Sequence, residues 1–345
     1  MQITSACGGG HIPDENFVAD YLHTGDIVMN AVTHNPDALV QPRQILVATD
    51  LCDSNYLLPI AIAQAKATGG HLTLVHAFIN PAIAAVSAQG LVPPDGGMDA
   101  EEFAERILAE LVKRARAEGV TCDSIVRQGF SAAEALRDEV HRTGAERVIM
   151  GTHGRGRVGQ LVLGSVAKSL LRSLEIPIFA VGPQVRAPEA FATPRRILHP
   201  VSLHGYYREN VDVARRLAEF YQAELILMHS IEPDAREGNA TVRDLNWAKR
   251  QLDASMDDPA TLTVDWKTHV AYGEVIGEIL ESAAQFEADW IVLGWNEKRR
   301  NPAFTESAAY RVMAGAAMPV LTLPHHLPHP GAQTQEKPEG AVARQ

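Results

Sequence analysis

Five strand-like segments of this chain, most of them apolar, recur in the same order in its second half, and that repetition limits the possible folds more than any other feature. RQILVATD (43–50) is matched by RILHPVSL (196–203), HLTLVHAF (71–78) by ELILMHSI (224–231), and VRQGFS (126–131) by HVAYGE (269–274). AERVIMGT (145–152) is matched by ADWIVLGW (288–295) and IPIFAVG (176–182) by MPVLTLP (318–324). The offset drifts only from 152 residues at Leu46/Leu198 to 142 at Pro177/Pro319, so small deletions account for the difference. Within each copy these segments alternate with stretches of helical spacing, such as AEEFAERILAELVKRARAEG (100–119). Mostly apolar strands separated by helices predict a parallel sheet covered on both faces. The expected architecture is α/β: two tandem five-stranded parallel-sheet domains of Rossmann-like type.

The 345 residues suit two domains of about 150 residues each. The repeat sets domain 1 at 43–183 and domain 2 at 195–324, joined by a Pro-containing linker at 184–194. Residues 1–42 are an unassigned extension with one short helix expected at 14–23. The Pro-, Gly- and Gln-rich stretch 325–345 is expected to be a disordered tail. A net charge of −11 argues against a general nucleic-acid or anionic-membrane surface. No run of 18 apolar residues occurs, and the N-terminus lacks the basic start and apolar centre of a signal peptide. Three scattered cysteines without a CxxC pair fit a reducing compartment. Together these features predict a cytoplasmic protein.

The chemistry is concentrated in GTHGRGRVGQLVLGS (151–165), which lies between a strand-like RVIM and a helical SVAKSLLRSL. Gly151, Gly154, Gly164 and Ser165 let backbone N–H groups approach an anion without a Cβ in the way. The helix start adds unpaired donors and the positive end of its dipole. Ser165 either caps that helix or touches a phosphate, and Arg155 and Arg157 add local positive charge. The G-K-S/T order of a P-loop is absent, as are a G-x-S-x-G elbow and an evident water-activating carboxylate. His153 stands inside the glycine loop, where a general acid could sit. Cys52 is read chiefly as a buried spectator thiol, with a redox-sensitive thiol near the site as the alternative. His199, His204 and His229 lie at strand ends without the spacing of a metal site, so no catalytic or metal-ligating residue is assigned.

The loop spacing and the strand order from ILVATD to IPIFAV resemble the universal stress protein family over most of the chain. The resemblance implies ATP binding, with magnesium, and pairing of domains through the last strand. In a tandem chain that pair forms within one molecule, and a homodimer of the whole is a further possibility. It places Asp50 at the ribose and the Val75 backbone at adenine, with Ala48, Thr49 and Val166 lining the pocket. Gly129 either makes room for the nucleotide or is only a turn glycine. Gly151, His153, Gly154, Arg155, Gly164 and Ser165 would hold the phosphates. In the second half Ser202 stands opposite Asp50, while Glu297 and Glu306 replace Gly154 and Gly164, so that site is expected to be degenerate. The expected function is nucleotide-dependent regulation of an unidentified protein partner by occupancy. A slow ATP hydrolase and a nucleotide-free scaffold are the alternatives.

Overall fold

A computed structural model describes residues 37–79, 97–152, 163–182, 184–185, 188–203, 207–232, 242–256, 263–294 and 305–324. Domain 1 carries β1 (Gln44–Ala48), α1 (Ser54–Thr68), β2 (His71–Ile79), α2 (Gly97–Ala117), β3 (Cys122–Gly129), α3 (Ala132–Thr143), β4 (Arg147–Gly151), α4 (Ser165–Ser173) and β5 (Ile178–Val181). A 3₁₀ turn at Pro188–Phe191 leads into the second copy. That copy carries β6 (Arg196–Pro200), α5 (Tyr207–Tyr221), β7 (Glu224–Ile231), α6 (Val242–Ala254), β8 (Trp266–Tyr272), α7 (Val275–Gln285), β9 (Trp290–Leu293), α8 (Thr305–Gly315) and β10 (Val320–Thr322). The short helix expected at 14–23 and the tail at 325–345 lie outside the described residues.

The two five-stranded sheets join into one of ten strands, in the order β3-β2-β1-β4-β5-β10-β9-β6-β7-β8. Every pairing is parallel except β5 with β10, where Ala180 faces Val320 and Ile178 faces Thr322 in antiparallel register. The expected pairing through the last strand therefore occurs inside one chain. Side chains alternate across the pleat, so Ile45 and Val47 join one apolar layer and Leu46 and Ala48 the other. The first layer is completed by α1, α2, α5 and α6, the second by α3, α4, α7 and α8, and each runs unbroken through both halves.

At the join, Trp290 is fully buried. Its ring meets Phe179 of β5 edge-on at 4.8 Å and Tyr221 of α5 at 4.9 Å. Its indole N–H donates to the Phe191 carbonyl at 2.7 Å. Removing so large a ring from a packed core costs about 3–5 kcal/mol. Trp290→Ala is therefore expected to lower the urea unfolding free energy by that amount. Arg147 is the counterpart of Trp290 in domain 1: it opens β4 as Trp290 opens β9, and it is equally buried. Its Nη2 donates to the Leu39 carbonyl at 2.7 Å. Leu39 and Phe191 each lie five residues before the first strand of their copy, so this contact is duplicated along with the strands.

The copies differ at the strand-one exit. Pro200 stands where domain 1 has Ala48, and proline has no N–H for the ladder. β6 pairs β9 only at Ile197 and Leu198, whereas β1 pairs β4 through Ala48. His199 takes over at the gap, with its Nδ1 2.7 Å from the Val292 carbonyl. Burial lowers its pKa to about 4, so it is a neutral core histidine.

Candidate functional site

A cleft of about 480 Å³ opens above the C-terminal ends of β1 and β4. Strand order reverses between these two strands, β2 lying to one side of β1 and β5 beyond β4. Such a switch point leaves a crevice because the chain crosses to opposite faces on leaving adjacent strands.

One wall is the corner between β1 and α1. Thr49 N–H donates to the Val75 carbonyl at 3.0 Å, and the Thr49 carbonyl lies 2.9 Å from Nδ1 of His76. The Thr49 hydroxyl accepts from Leu51 N–H at 2.9 Å and donates to the Asp53 carboxyl at 2.5 Å. Oδ1 of Asp50 accepts from the N–H groups of Cys52 and Asp53 at 2.9 and 3.0 Å. The turn is tight enough to hold Leu51 at φ +72°, a conformation disfavoured for any residue with a Cβ. Burial raises the Asp53 pKa to about 7; the Thr49 hydroxyl opposes that rise and the Asp50 charge adds to it. Asp53 also accounts for Gly151: a Cβ there would sit 2.8 Å from the Asp53 Oδ2.

The opposite wall is the start of α4. Gly164 occupies the N-cap position with no side chain to cap the helix, and its own N–H is spent on the Thr152 carbonyl at 2.8 Å. The first helical hydrogen bond is donated by Lys168 N–H to the Gly164 carbonyl, at 3.0 Å. The N–H groups of Ser165, Val166 and Ala167 precede it and have no partner within the helix. The exposed Ser165 hydroxyl forms no cap. Lys168 also lines this wall, so the cleft has carboxyls on one side and donors with a cation on the other.

Of the residues expected at a site, Ala48, Thr49, Asp50, Gly151, Gly164, Ser165 and Val166 all line the cleft. Val75 does not: it is fully buried, and its carbonyl is committed to Thr49. β2 runs on to Ile79, so the residues it brings to the cleft are His76 and Ala77. Gly129 also lies away from the lining, where a Cβ would meet Ala135 at 3.3 Å; the turn-glycine alternative fits this placement. His153, Gly154 and Arg155 lie outside the described residues, as do His204 and Glu297. Cys52 is exposed, not buried as expected. Sequence reasoning missed Asp53 and Lys168. The D-x-x-D spacing of Asp50 and Asp53 was the available signal, because a tight corner turns both carboxyls toward one opening.

The second copy repeats part of this frame with different side chains. His229 Nδ1 lies 2.8 Å from the Val201 carbonyl, repeating His76 and Thr49. Against Gly294, the equivalent of Gly151, stands the Asn210 amide, 2.5 Å from where a Cβ would be. An amide has thus replaced the Asp53 carboxyl. His199 and His229 each bond to a backbone carbonyl, and no three His, Cys, Asp or Glu side chains that could hold a metal meet among the described residues.

The model of the universal stress protein family matches residues 42–182 and again 194–324. The chain belongs to the universal stress protein family. A universal stress protein of Thermus aquaticus is 32% identical over 149 residues, covering 40% of this chain and 98% of its own length. Among solved structures, a universal stress protein from Archaeoglobus fulgidus superposes with a TM-score of 0.62 at 17% identity, over 84% of this chain and 98% of the other. A protein described as functionally unknown from Pseudomonas aeruginosa gives 0.56 at 17% identity, over 83% and 94%. Both folds span the two tandem domains. No described helix is long and apolar enough to cross a membrane.

Proposed function

We propose that the domain 1 cleft binds ATP with magnesium and that the protein regulates a partner through occupancy of this site. The observation carrying this reading is the uncapped start of α4, whose three unpaired N–H groups open into a cleft at the switch point. An anion there accepts hydrogen bonds and meets the positive end of the helix dipole. The nucleoside would lie toward Asp50 and Ala77, the phosphates toward Gly151, Ser165 and Lys168. Magnesium would arrive with the triphosphate and keep phosphate and water oxygens as its ligands. Ligand binding would shift the partner equilibrium only by the difference in affinity between the two states.

Asp50→Asn retains the Oδ1 acceptor for the loop but removes the charge. Calorimetric titration is expected to show a loss of about 1–3 kcal/mol in nucleotide affinity. The test of the reading as a whole is mass spectrometry of nucleotide released by denaturing purified protein, with its stoichiometry and turnover. One intact ATP per chain is expected. No nucleotide, with no uptake of added Mg-ATP, would leave only a scaffold.

Asp53 supports a second reading, slow hydrolysis. A carboxyl with a pKa near 7 inside the cleft is suited to take a proton from water. Steady release of ADP that Asp53→Asn abolishes would identify this activity; intact ATP over hours would exclude it.

A further inference from the structure

We propose that a nucleotide entering the domain 1 cleft is bound together with one proton, taken up by Asp53, so that the site reads pH as well as nucleotide. This coupling rests on the cleft being a nucleotide site, as proposed above. Asp53 lines the cleft from the corner between β1 and α1. Its Oδ1 accepts from the Thr49 hydroxyl at 2.5 Å, and its Oδ2 lies against Gly151 of β4. Burial holds its pKa at about 7 against the Thr49 hydroxyl, with the Asp50 charge adding to the rise, and no cation is among these influences. The other titratable groups lining the cleft are Asp50 on the same corner, His76 on β2 and Lys168 on α4; β4 and α3 bring none.

An anion held at the start of α4 shares this cleft with two carboxyls. Lys168 offers one positive charge on the far wall. Like charges about 8 Å apart repel enough, at an effective dielectric of 20, to shift an equilibrium about thirtyfold. A proton on Oδ2 removes the Asp53 charge and leaves Oδ1 to accept from Thr49. That proton comes from solvent, and no bond of the nucleotide is made or broken. The second copy shows that the frame accommodates an uncharged side chain here. Asn210 stands against Gly294 as Asp53 stands against Gly151, and Val201 takes the place of Thr49. Hydroxyl and carboxyl are thus exchanged together in that copy and present together in the copy that carries the cleft. Asp53 cannot both hold this proton and take one from water, so the coupling excludes the hydrolytic role.

The test is calorimetric titration of Mg-ATP into the full chain at pH 6, 7 and 8.5, in buffers of different ionisation enthalpy. Affinity is expected to fall about tenfold or more from pH 6 to pH 8.5, because the free carboxyl is ionised above 7 and must be neutralised on binding. Near pH 7.5 each nucleotide should draw about half a proton or more from the buffer. Asp53→Asn, uncharged at every pH, should flatten most of the profile and lose that uptake. Titration of His76 and of the nucleotide is common to both proteins and cancels in the comparison. The buffer series needs only the wild type, so it decides the matter should the variant fail to fold. Binding that draws no proton and keeps its strength to pH 8.5 would overturn the coupling and leave the nucleotide reading intact. Uptake unchanged in the variant would assign the proton elsewhere and overturn it too. No binding at any of the three pH values would overturn both the coupling and the nucleotide reading.

Discussion

Gly164→Glu is expected to reduce adenine-nucleotide affinity by ~100-fold or more while leaving the protein folded. Two like unit charges about 4 Å apart repel by about 4 kcal/mol at an effective dielectric of 20, enough to account for such a loss. The substitution copies Glu306 of the second copy and introduces a carboxylate where the first copy leaves a helix start uncapped. The fold should tolerate it because Gly164 has φ −62° and ψ 154°, an extended conformation open to any side chain. Titration calorimetry beside a circular-dichroism melt separates the two effects. Undiminished affinity in a folded variant would remove α4 from the site.

Asp53→Asn should make the protein more stable at pH 8 and no more stable at pH 4. The Asp53 carboxyl titrates at about 7 in the folded chain against an ordinary 3.8. Between those values the folded state binds the proton that the unfolded state releases, so stability falls as pH rises and levels off above 7. The loss is on the order of 2–4 kcal/mol. His199 works in the opposite sense. Its folded pKa of about 4 lies below the ordinary 6.5, so its contribution is complete above 6.5 and fades as pH falls through 4. The difference between wild type and variant cancels the histidine and isolates Asp53. Parallel thermal-midpoint profiles for the two proteins would show that Asp53 is ionised throughout.

Periodicity made the fold legible. The apolar runs that recur in both copies coincide with the inner strands of both sheets, because burial on two faces leaves little choice of residue there, whereas the edge strands β3 and β8 are less buried and less apolar. The cleft was legible where backbone geometry dictates residue type, as at Gly151, and where a polar residue ends an apolar strand, as at Asp50. Val75 was misplaced because recognition by a backbone leaves no trace in side-chain identity, and two further residues of β2 continue past it toward the opening. Asp53 escaped notice because its burial against Gly151 comes from a strand distant in sequence, although its polar partners Thr49 and Asp50 are local. A carboxyl at a helix start reads as an ordinary cap until β4 is folded against it. The pair Arg147 and Trp290 escaped for the same reason, since neither residue type announces that it opens a buried strand.

The antiparallel contact of β5 with β10 has a consequence for how the two halves can change. When two identical subunits share such an edge, one sequence must serve as both ligand holder and partner, and their association weakens on dilution. Here both edges belong to the same polypeptide, so the contact forms at the same effective strength at any protein concentration. The copies are then free to divide the work. One keeps an open cleft, while the other exchanges a carboxyl for Asn210 and a ladder N–H for Pro200 and still supplies the edge that completes the sheet.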